Sequence, residues 1–105
     1  MSEERALPVR VQFAGIRSRV IQISYGHSDT TALLLLDAAE DSLVITASIN
    51  VAGVSETLPE DQLVLKTYSE GEGLLEALEE AGVVEDTGKR VATGFVTAPI
   101  VRLLL

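Results

Sequence analysis

The one histidine of the chain stands in a pattern that could support general acid–base chemistry. The sequence runs Tyr25-Gly26-His27-Ser28-Asp29, and a carboxylate beside an imidazole can orient the ring to take up a proton near neutral pH. A lone histidine among glycine and small polar residues is, however, usually just solvated in a loop. We therefore predict no catalytic residue and no enzymatic activity, and a small enzyme centred on His27 is the weakest of the functions considered.

A second pattern, between Gly82 and Lys89, superficially resembles a phosphate-binding loop. Five residues separate Gly82 from Gly88 where the nucleotide-binding motif has four, and Arg90 replaces its serine or threonine. The segment is instead predicted to be a helix C-cap followed by a turn. Because the chain has one histidine, no cysteine and no carboxylate spacing typical of a calcium loop, we expect neither a metal nor a cofactor.

The feature most open to a functional interpretation is the run of acidic residues from position 70 to position 86. This run holds seven carboxylates and no basic residue. Spacings of three and four place several of them on one side of a helix, where they could dock on a basic protein surface. A solvated face is the commoner role of such a row. The predicted partner-binding residues are Glu72, Glu76, Glu79, Glu80, Glu85 and Asp86.

Positive charge is concentrated near the N-terminus. Residues 5–19 include four arginines and no acid, although the whole chain carries a formal net charge of −8. That balance argues against direct binding to nucleic acid or to an anionic membrane, because both draw much of their affinity from neutralised phosphates. Arg10, Arg17 and Arg19 are interpreted as a solvated strand edge that discourages edge-to-edge pairing.

Length and composition fit a single domain, residues 1–105. Hydrophobic residues make up 47% of the chain and aromatic residues only 4%, so leucine, valine, isoleucine and alanine must build the core. The charged N-terminus is followed by no apolar signal segment, and the longest apolar run is too short for a bilayer span. We therefore expect a soluble protein in the cytoplasm of a host cell.

Apolar stretches and their alternation with polar residues predict the strands. These strands are expected at residues 9–13, 19–23, 31–36, 43–50, 63–66, 91–97 and 100–105. A break is predicted at Ala98-Pro99, because proline cannot donate to a central ladder, and a turn at Thr87–Arg90. The expected fold class is α+β: a curved, mostly antiparallel sheet of about five or six strands, with one short helix packed on one face.

The helix is predicted over residues 70–81, and its sequence suggests both of its ends. Ser69 and Glu72 have the spacing of a capping box, in which each side chain accepts a hydrogen bond from the backbone amide of the other residue. Gly82 stands where a left-handed C′ residue belongs, with Val83 placed against Leu78 in a Schellman closure. The apolar stripe consists of Leu74, Leu75, Leu78 and Ala81. Acids in the last turn oppose the helix dipole, which suggests that the acidic face serves something besides helix stability.

An aliphatic strand carries a second hypothesis. Leu33 to Leu36 are apolar on both faces of their strand, and the chain ends in three leucines. Such a strand is usually covered on both sides by a helix, by the curl of the sheet or by a second subunit. The alternative function is therefore a structural or assembly protein that forms homo-oligomers, such as a homodimer, through its aliphatic sheet.

The stretch from Leu63 to Leu78, with residues 81–84, resembles the core motif of a small acidic domain-of-unknown-function family encoded by phages, plasmids and integrative or conjugative elements. Residues 45–50, 87–88 and 94–96 and Pro99 fit the same pattern, and the resemblance covers residues 30–104. Gly71 stands where the motif would have an asparagine, so no role of that side chain carries over. The resemblance implies an origin in mobile DNA and no established activity.

Charge and resemblance together predict a non-enzymatic interaction protein of a mobile genetic element. Its acidic surface would dock on a protein with a basic surface, for example the nucleic-acid channel of a host defence complex that it inhibits.

Overall fold

The computed structural model of the chain describes the backbone of residues 2–25 and 30–105 and the side chains of residues 4–23 and 31–105. The predicted acid–base group of Tyr25, His27 and Asp29 lies outside the described side chains. Among the described residues, no helix is long and apolar enough to cross a membrane.

The first half of the chain forms a four-stranded antiparallel meander, here called the N-terminal sheet. Its strands pair in the order of the sequence: β1 (Ser2–Phe13), β2 (Ile16–Tyr25), β3 (Thr30–Asp37) and β4 (Leu43–Thr46). A two-residue turn joins β1 to β2, and both of its residues have positive φ, 53° at Ala14 and 78° at Gly15. This is the type I′ geometry that matches the twist of a hairpin.

The second half forms the C-terminal sheet, in which the strand order is β5-β6-β8-β7. Its strands are β5 (Ser48–Ile49), β6 (Gln62–Leu65), β7 (Val84–Thr93) and β8 (Val96–Leu103). Gly94, with φ of 68°, takes the first position of the two-residue turn between β7 and β8, where a type II′ turn requires glycine. Phe95 occupies the second position and is completely exposed.

The expectation of one curved sheet of about five or six strands is wrong, because the strand predicted at 43–50 divides at Ala47. The Ala47 amide donates to Leu33 O of the N-terminal sheet at 2.7 Å, while its carbonyl accepts from the Lys66 amide of the C-terminal sheet, also at 2.7 Å. Ser48 Oγ accepts the Leu33 amide at 2.9 Å. The α+β composition and the antiparallel pairing are as predicted, but the strands form two sheets of four.

A mostly aliphatic core fills the space between the two sheets. The helix α1 (Leu74–Glu80) closes one side of this space by packing against β1 and β7, which are the outer strands of the two sheets. Leu74 and Leu78 are completely buried, and Leu75 and Ala81 are partly buried against the same core. The predicted apolar stripe of the helix is therefore confirmed.

The prediction for α1 is confirmed at the C-terminal end of the helix and wrong at the N-terminal end. The Schellman closure is confirmed, because the Val83 amide donates to Leu78 O at 2.9 Å and the Gly82 amide to Glu79 O at 3.0 Å, with Gly82 at φ 74°. The capping box is wrong: α1 begins after Gly73, and no side chain caps its first turn. The preceding residues form a separate 3₁₀ turn, Ser69–Gly71.

A steric contact explains this interruption. A Cβ at Gly71 would lie 2.2 Å from Lys66 O, so the turn packs directly on the backbone that follows β6. Ser69, the first residue of the turn, has a left-handed φ of 57°. The tertiary contact thus separates the turn from the helix.

The last two strands also differ from the prediction. The predicted turn at Thr87–Arg90 is an irregularity within β7, where the register shifts between Asp86 and Arg90, and the chain reverses at Gly94-Phe95 instead of Ala98-Pro99. Pro99 lies within β8. It is tolerated there because it pairs at the edge of the β7 irregularity and lies beyond Ile100, the last β8 residue that pairs with β6.

The outer face of the C-terminal sheet is covered by the chain itself. Val64, Ala98 and Ile100 are buried on that face, and residues from the segment between β5 and β6 pack on them. This segment contains a short 3₁₀ turn, Ser55–Thr57.

Candidate functional site

The acidic surface is built on α1 and on the residue before it. Because Leu74 and Leu78 point into the core, the opposite side of the helix must face solvent, and the exposed residues there are Glu76, Glu79 and Glu80. Glu72 is exposed just ahead of the helix. The Schellman closure fixes the direction of the chain immediately after these carboxylates.

The acids that flank this group are neutralised by cations from other parts of the chain. Asp86 accepts two hydrogen bonds from the Arg90 guanidinium, at 2.8 and 2.9 Å, and Glu85 pairs with Arg102. The Arg90 guanidinium, with help from the Gly88 amide, lowers the pKa of Asp86 below its ordinary value of 3.8. Although residues 70–86 include no basic residue, the fold therefore brings arginines from outside this run next to its acids.

Glu70, at the other end of the run, is paired in the same way. Its carboxylate accepts a hydrogen bond from Lys66 Nζ, and this bond is the main cause that lowers the pKa of Glu70 to about 2. The Lys66 ammonium also lies 5.4 Å from the centre of the Tyr68 ring. The three paired acids together bound a smaller group of carboxylates.

Four of the predicted partner-binding residues remain without an ion pair among the described residues. These four, here called the helix carboxylates, are Glu72, Glu76, Glu79 and Glu80. Three of them occupy one helix at spacings of three and four, so like charges stand side by side on one surface. Such an arrangement destabilises an isolated helix slightly and attracts cations.

Sequence reasoning missed the cations Lys66, Arg90 and Arg102. Lys66 and Glu70 are four residues apart, a separation that could have suggested a pair. The partnership of Arg102 with Glu85 depends on the register of β7 and β8, in which these two residues are directly opposite. Only the strand pairing brings them together.

A cavity of about 330 Å³ is a second candidate site. It lies between the start of β3 and β6, beside the junction of the two sheets. Neutral side chains such as Thr31, Ser48, Asn50, Ser55 and Gln62 line it together with aliphatic ones. None of the lining residues is ionisable. The cavity can therefore hold a small neutral molecule by hydrogen bonds and apolar contacts, but it offers no group for proton transfer.

The arginines near the N-terminus lie on the N-terminal sheet, but the predicted strand edge is correct only for Arg10 on β1, because Arg17 and Arg19 belong to β2, which pairs on both sides. Arg10 and Arg19 are opposite each other on β1 and β2, and Arg19 forms an ion pair with Asp41 from the β3–β4 connection. Arg10 and Arg17 are exposed. Within the described residues, no group of three histidine, aspartate or glutamate side chains is placed to hold a metal ion.

Comparison of the chain with protein-family models, with curated proteins and with solved structures finds no match. The resemblance to a family of mobile elements stays a prediction.

Proposed function

We propose that this protein is a non-enzymatic binding protein that captures a partner with a basic surface through its helix carboxylates. The observation that carries the proposal is the contrast in pairing: Glu70, Glu85 and Asp86 are neutralised by cations of the chain, whereas the four helix carboxylates have no ion pair among the described residues. A surface selected only for solubility has no need to concentrate its free charges against the dipole of one short helix.

The structure around α1 supports a docking role. Two buried leucines, Leu74 and Leu78, attach the helix to the core, so the carboxylates are presented from a rigid base and lose little backbone entropy on binding. A cluster of one charge on a chain of net charge −8 also steers a cationic partner during diffusion. Binding of this type is fast and depends strongly on ionic strength.

We propose a specific partner from the predicted resemblance and from the chemistry of the helix carboxylates. A protein of a mobile element would gain from blocking the basic nucleic-acid channel of a host defence complex, and a row of carboxylates imitates a row of phosphates. We propose inhibition of such a complex, in the cytoplasm of the host, as the specific form of the function.

The test compares two double variants with equal charge. Glu76→Lys/Glu79→Lys reverses two helix carboxylates, whereas Glu40→Lys/Glu60→Lys reverses two exposed acids outside α1. Each change moves the formal net charge from −8 to −4. Each protein is immobilised, and its binding to poly-L-arginine and to proteins of a host lysate is measured at increasing salt.

We expect the helix variant to lose at least about tenfold in affinity for the polycation at low salt, while the control loses much less. The partners retained from lysate should be basic, and the helix variant should not retain them. Equal losses in the two variants would show that net charge alone governs binding, and the proposal would then be wrong.

A further inference from the structure

The large apolar residues on the outer face of the N-terminal sheet belong to neither of the two buried hydrophobic clusters of the described chain. Residues at odd positions of β1 enter the core, among them Val11 and Phe13, and Val20 of β2 does the same. Their neighbours point to the other face of the sheet. The larger apolar residues of that outer face are Ile21, Ile23, Leu34, Leu36 and Leu43. Ile21 is only 7% exposed, because its neighbours on the sheet crowd it, whereas Ile23, Leu34 and Leu36 are partly exposed.

These residues form one continuous patch. Ile21 pairs with Leu34, and Leu36 pairs with Leu43, so the aliphatic side chains lie in adjacent rows across β2, β3 and β4. Leu43 is 58% exposed. A sheet face of this composition is normally packed against another layer.

The opposite sheet shows what such a layer looks like in this protein. The segment between β5 and β6 covers the outer face of the C-terminal sheet and buries Val64, Ala98 and Ile100 there. The N-terminal sheet has an equally aliphatic outer face but no corresponding segment among the described residues. A second molecule can supply the missing layer.

The charges on the same face indicate which molecule. Glu4 and Arg10 are exposed at even positions of β1, and they pair with Ile23 and Arg19 of β2, respectively. The residue midway between them on β2 is Ile21, which pairs with Ala6. Their partners on β2 therefore lie two residues to either side of Ile21 on the same face, although a bulge between Ala6 and Arg10 adds residues to β1 on the Arg10 side. Arg19 lies on this face too, but Asp41 already neutralises it.

This placement is self-complementary. A two-fold axis that runs along the Ile21–Leu34 row, in the plane of the interface, reverses the strand direction and lays β1 on the β1 of a second copy. Arg10 of each copy then lies over Glu4 of the other, and the Leu34 side chains meet near the axis. An isologous dimer requires this kind of pairing, in which the same two residues contact each other twice.

The area of the face is sufficient for a specific contact. Three strands about 4.8 Å apart over roughly the eight residues of β3, with the four residues of β4 beside them, give a flat area of about 450 Å². Two such faces cover about 900 Å², and the relief of the side chains brings the accessible area removed from water to about the 1,000 Å² of the smallest biological interfaces. Interfaces of this size are typical of weak, reversible complexes.

We propose that the protein forms a homodimer by antiparallel packing of the outer faces of two N-terminal sheets. This surface is separate from the helix carboxylates, so dimerisation and partner capture can succeed or fail independently. A dimer built in this way also presents two acidic helices to a partner, which increases its avidity.

The first test measures mass by light scattering. For the wild type we expect the mass to rise from 11.2 kDa towards twice that value between about 1 and about 100 µM. Leu34→Lys places two like charges near the axis and should keep the mass at 11.2 kDa with an unchanged circular dichroism spectrum. Leu104→Lys, at an apolar residue that is 50% exposed outside this face, should leave the dimer intact.

The second test uses the two charged residues, both of which are exposed and neither of which supports the core. Arg10→Glu and Glu4→Arg should each weaken the dimer about tenfold, because each creates two like-charge contacts. The double variant Glu4→Arg/Arg10→Glu should restore the wild-type dissociation constant.

Three outcomes would overturn the proposal. They are a wild-type monomer at about 100 µM, a dimer that Leu34→Lys leaves unchanged, and a double charge variant no better than the single ones. The charge variants decide the matter if Leu34→Lys fails to fold.

Discussion

Gly71 provides the sharpest test of the fold, because its neighbourhood predicts a specific loss of stability. A Cβ added there would lie 2.2 Å from Lys66 O and 2.8 Å from Lys66 C, whereas ordinary contacts begin at 3.4 Å. In the variant Gly71→Ala the turn must therefore move about 1.2 Å away from Lys66 O, which is the difference between 2.2 Å and an ordinary contact of 3.4 Å. The Lys66 carbonyl cannot move freely, because its own amide is bonded to Ala47 at the junction of the sheets.

The expected cost follows from two opposing effects. Overpacking against fixed backbone costs about 1–3 kcal/mol. Replacing glycine also restricts the unfolded chain, which offsets about 0.4–1 kcal/mol. We expect Gly71→Ala to lower the free energy of unfolding by about 1–2 kcal/mol and to lower Tm by roughly 4–16 °C in a domain of this size. Gly71→Asn, which adds three more heavy atoms, should cost more.

Thermal and urea unfolding followed by circular dichroism measure both quantities. Ser69→Gly is the matched control in the same turn: Ser69 has a left-handed φ of 57°, so glycine should be neutral or stabilising by up to about 1 kcal/mol. If Gly71→Ala unfolds at the wild-type temperature, the turn does not pack on Lys66 and our explanation of the late helix start is wrong.

Three further predictions concern α1 and β7. Leu78→Ala leaves a cavity in a fully buried position and should cost about 2–5 kcal/mol with little change in the urea m-value; a smaller loss would mean that α1 is not packed on the core. Glu80→Lys removes an acid from the last helical turn, and the new lysine can pair with Glu76 four residues earlier. The variant should raise the free energy of unfolding by a few tenths to about 1 kcal/mol at low salt. A gain that persists in concentrated salt would contradict an electrostatic cause. The pKa of Asp86 is below its ordinary value of 3.8 in the folded protein, so the pair with Arg90 stabilises the fold above pH 3.8, and this stabilisation is lost as the pH falls through the folded pKa. The difference in free energy of unfolding between wild type and Asp86→Asn should therefore shrink under acid. A difference that grows under acid would contradict a lowered pKa.

Local interactions in this protein were predictable from sequence, and interactions set by tertiary contacts were not. The Schellman closure at Gly82 requires only residues within one turn of one another, and it was predicted with the correct partners. The capping box has an equally good local pattern, but the contact of Gly71 with Lys66 overrides it. The prediction of a strand break at Pro99 is wrong, because the irregularity of β7 that accommodates the proline cannot be seen in the sequence around it.

The same distinction applies to the candidate site. The positions of the helix carboxylates follow from helical spacing and from the buried leucines, both of which the sequence contains. Neutralisation of Glu85 by Arg102 follows from the register of two strands, and no short pattern encodes it. The division into two sheets was equally hidden, since the apolar alternation continues through Ala47 without a marker.

Ala47 has a consequence for the dynamics of the protein. Its amide is held by one sheet and its carbonyl holds an amide of the other, so neither sheet can separate from this residue without breaking a buried hydrogen bond. The amides of Ala47 and Lys66 should therefore exchange with solvent deuterium at the same slow rate, through the same global opening. The two halves of the chain, although paired into separate sheets, would then unfold as one cooperative unit.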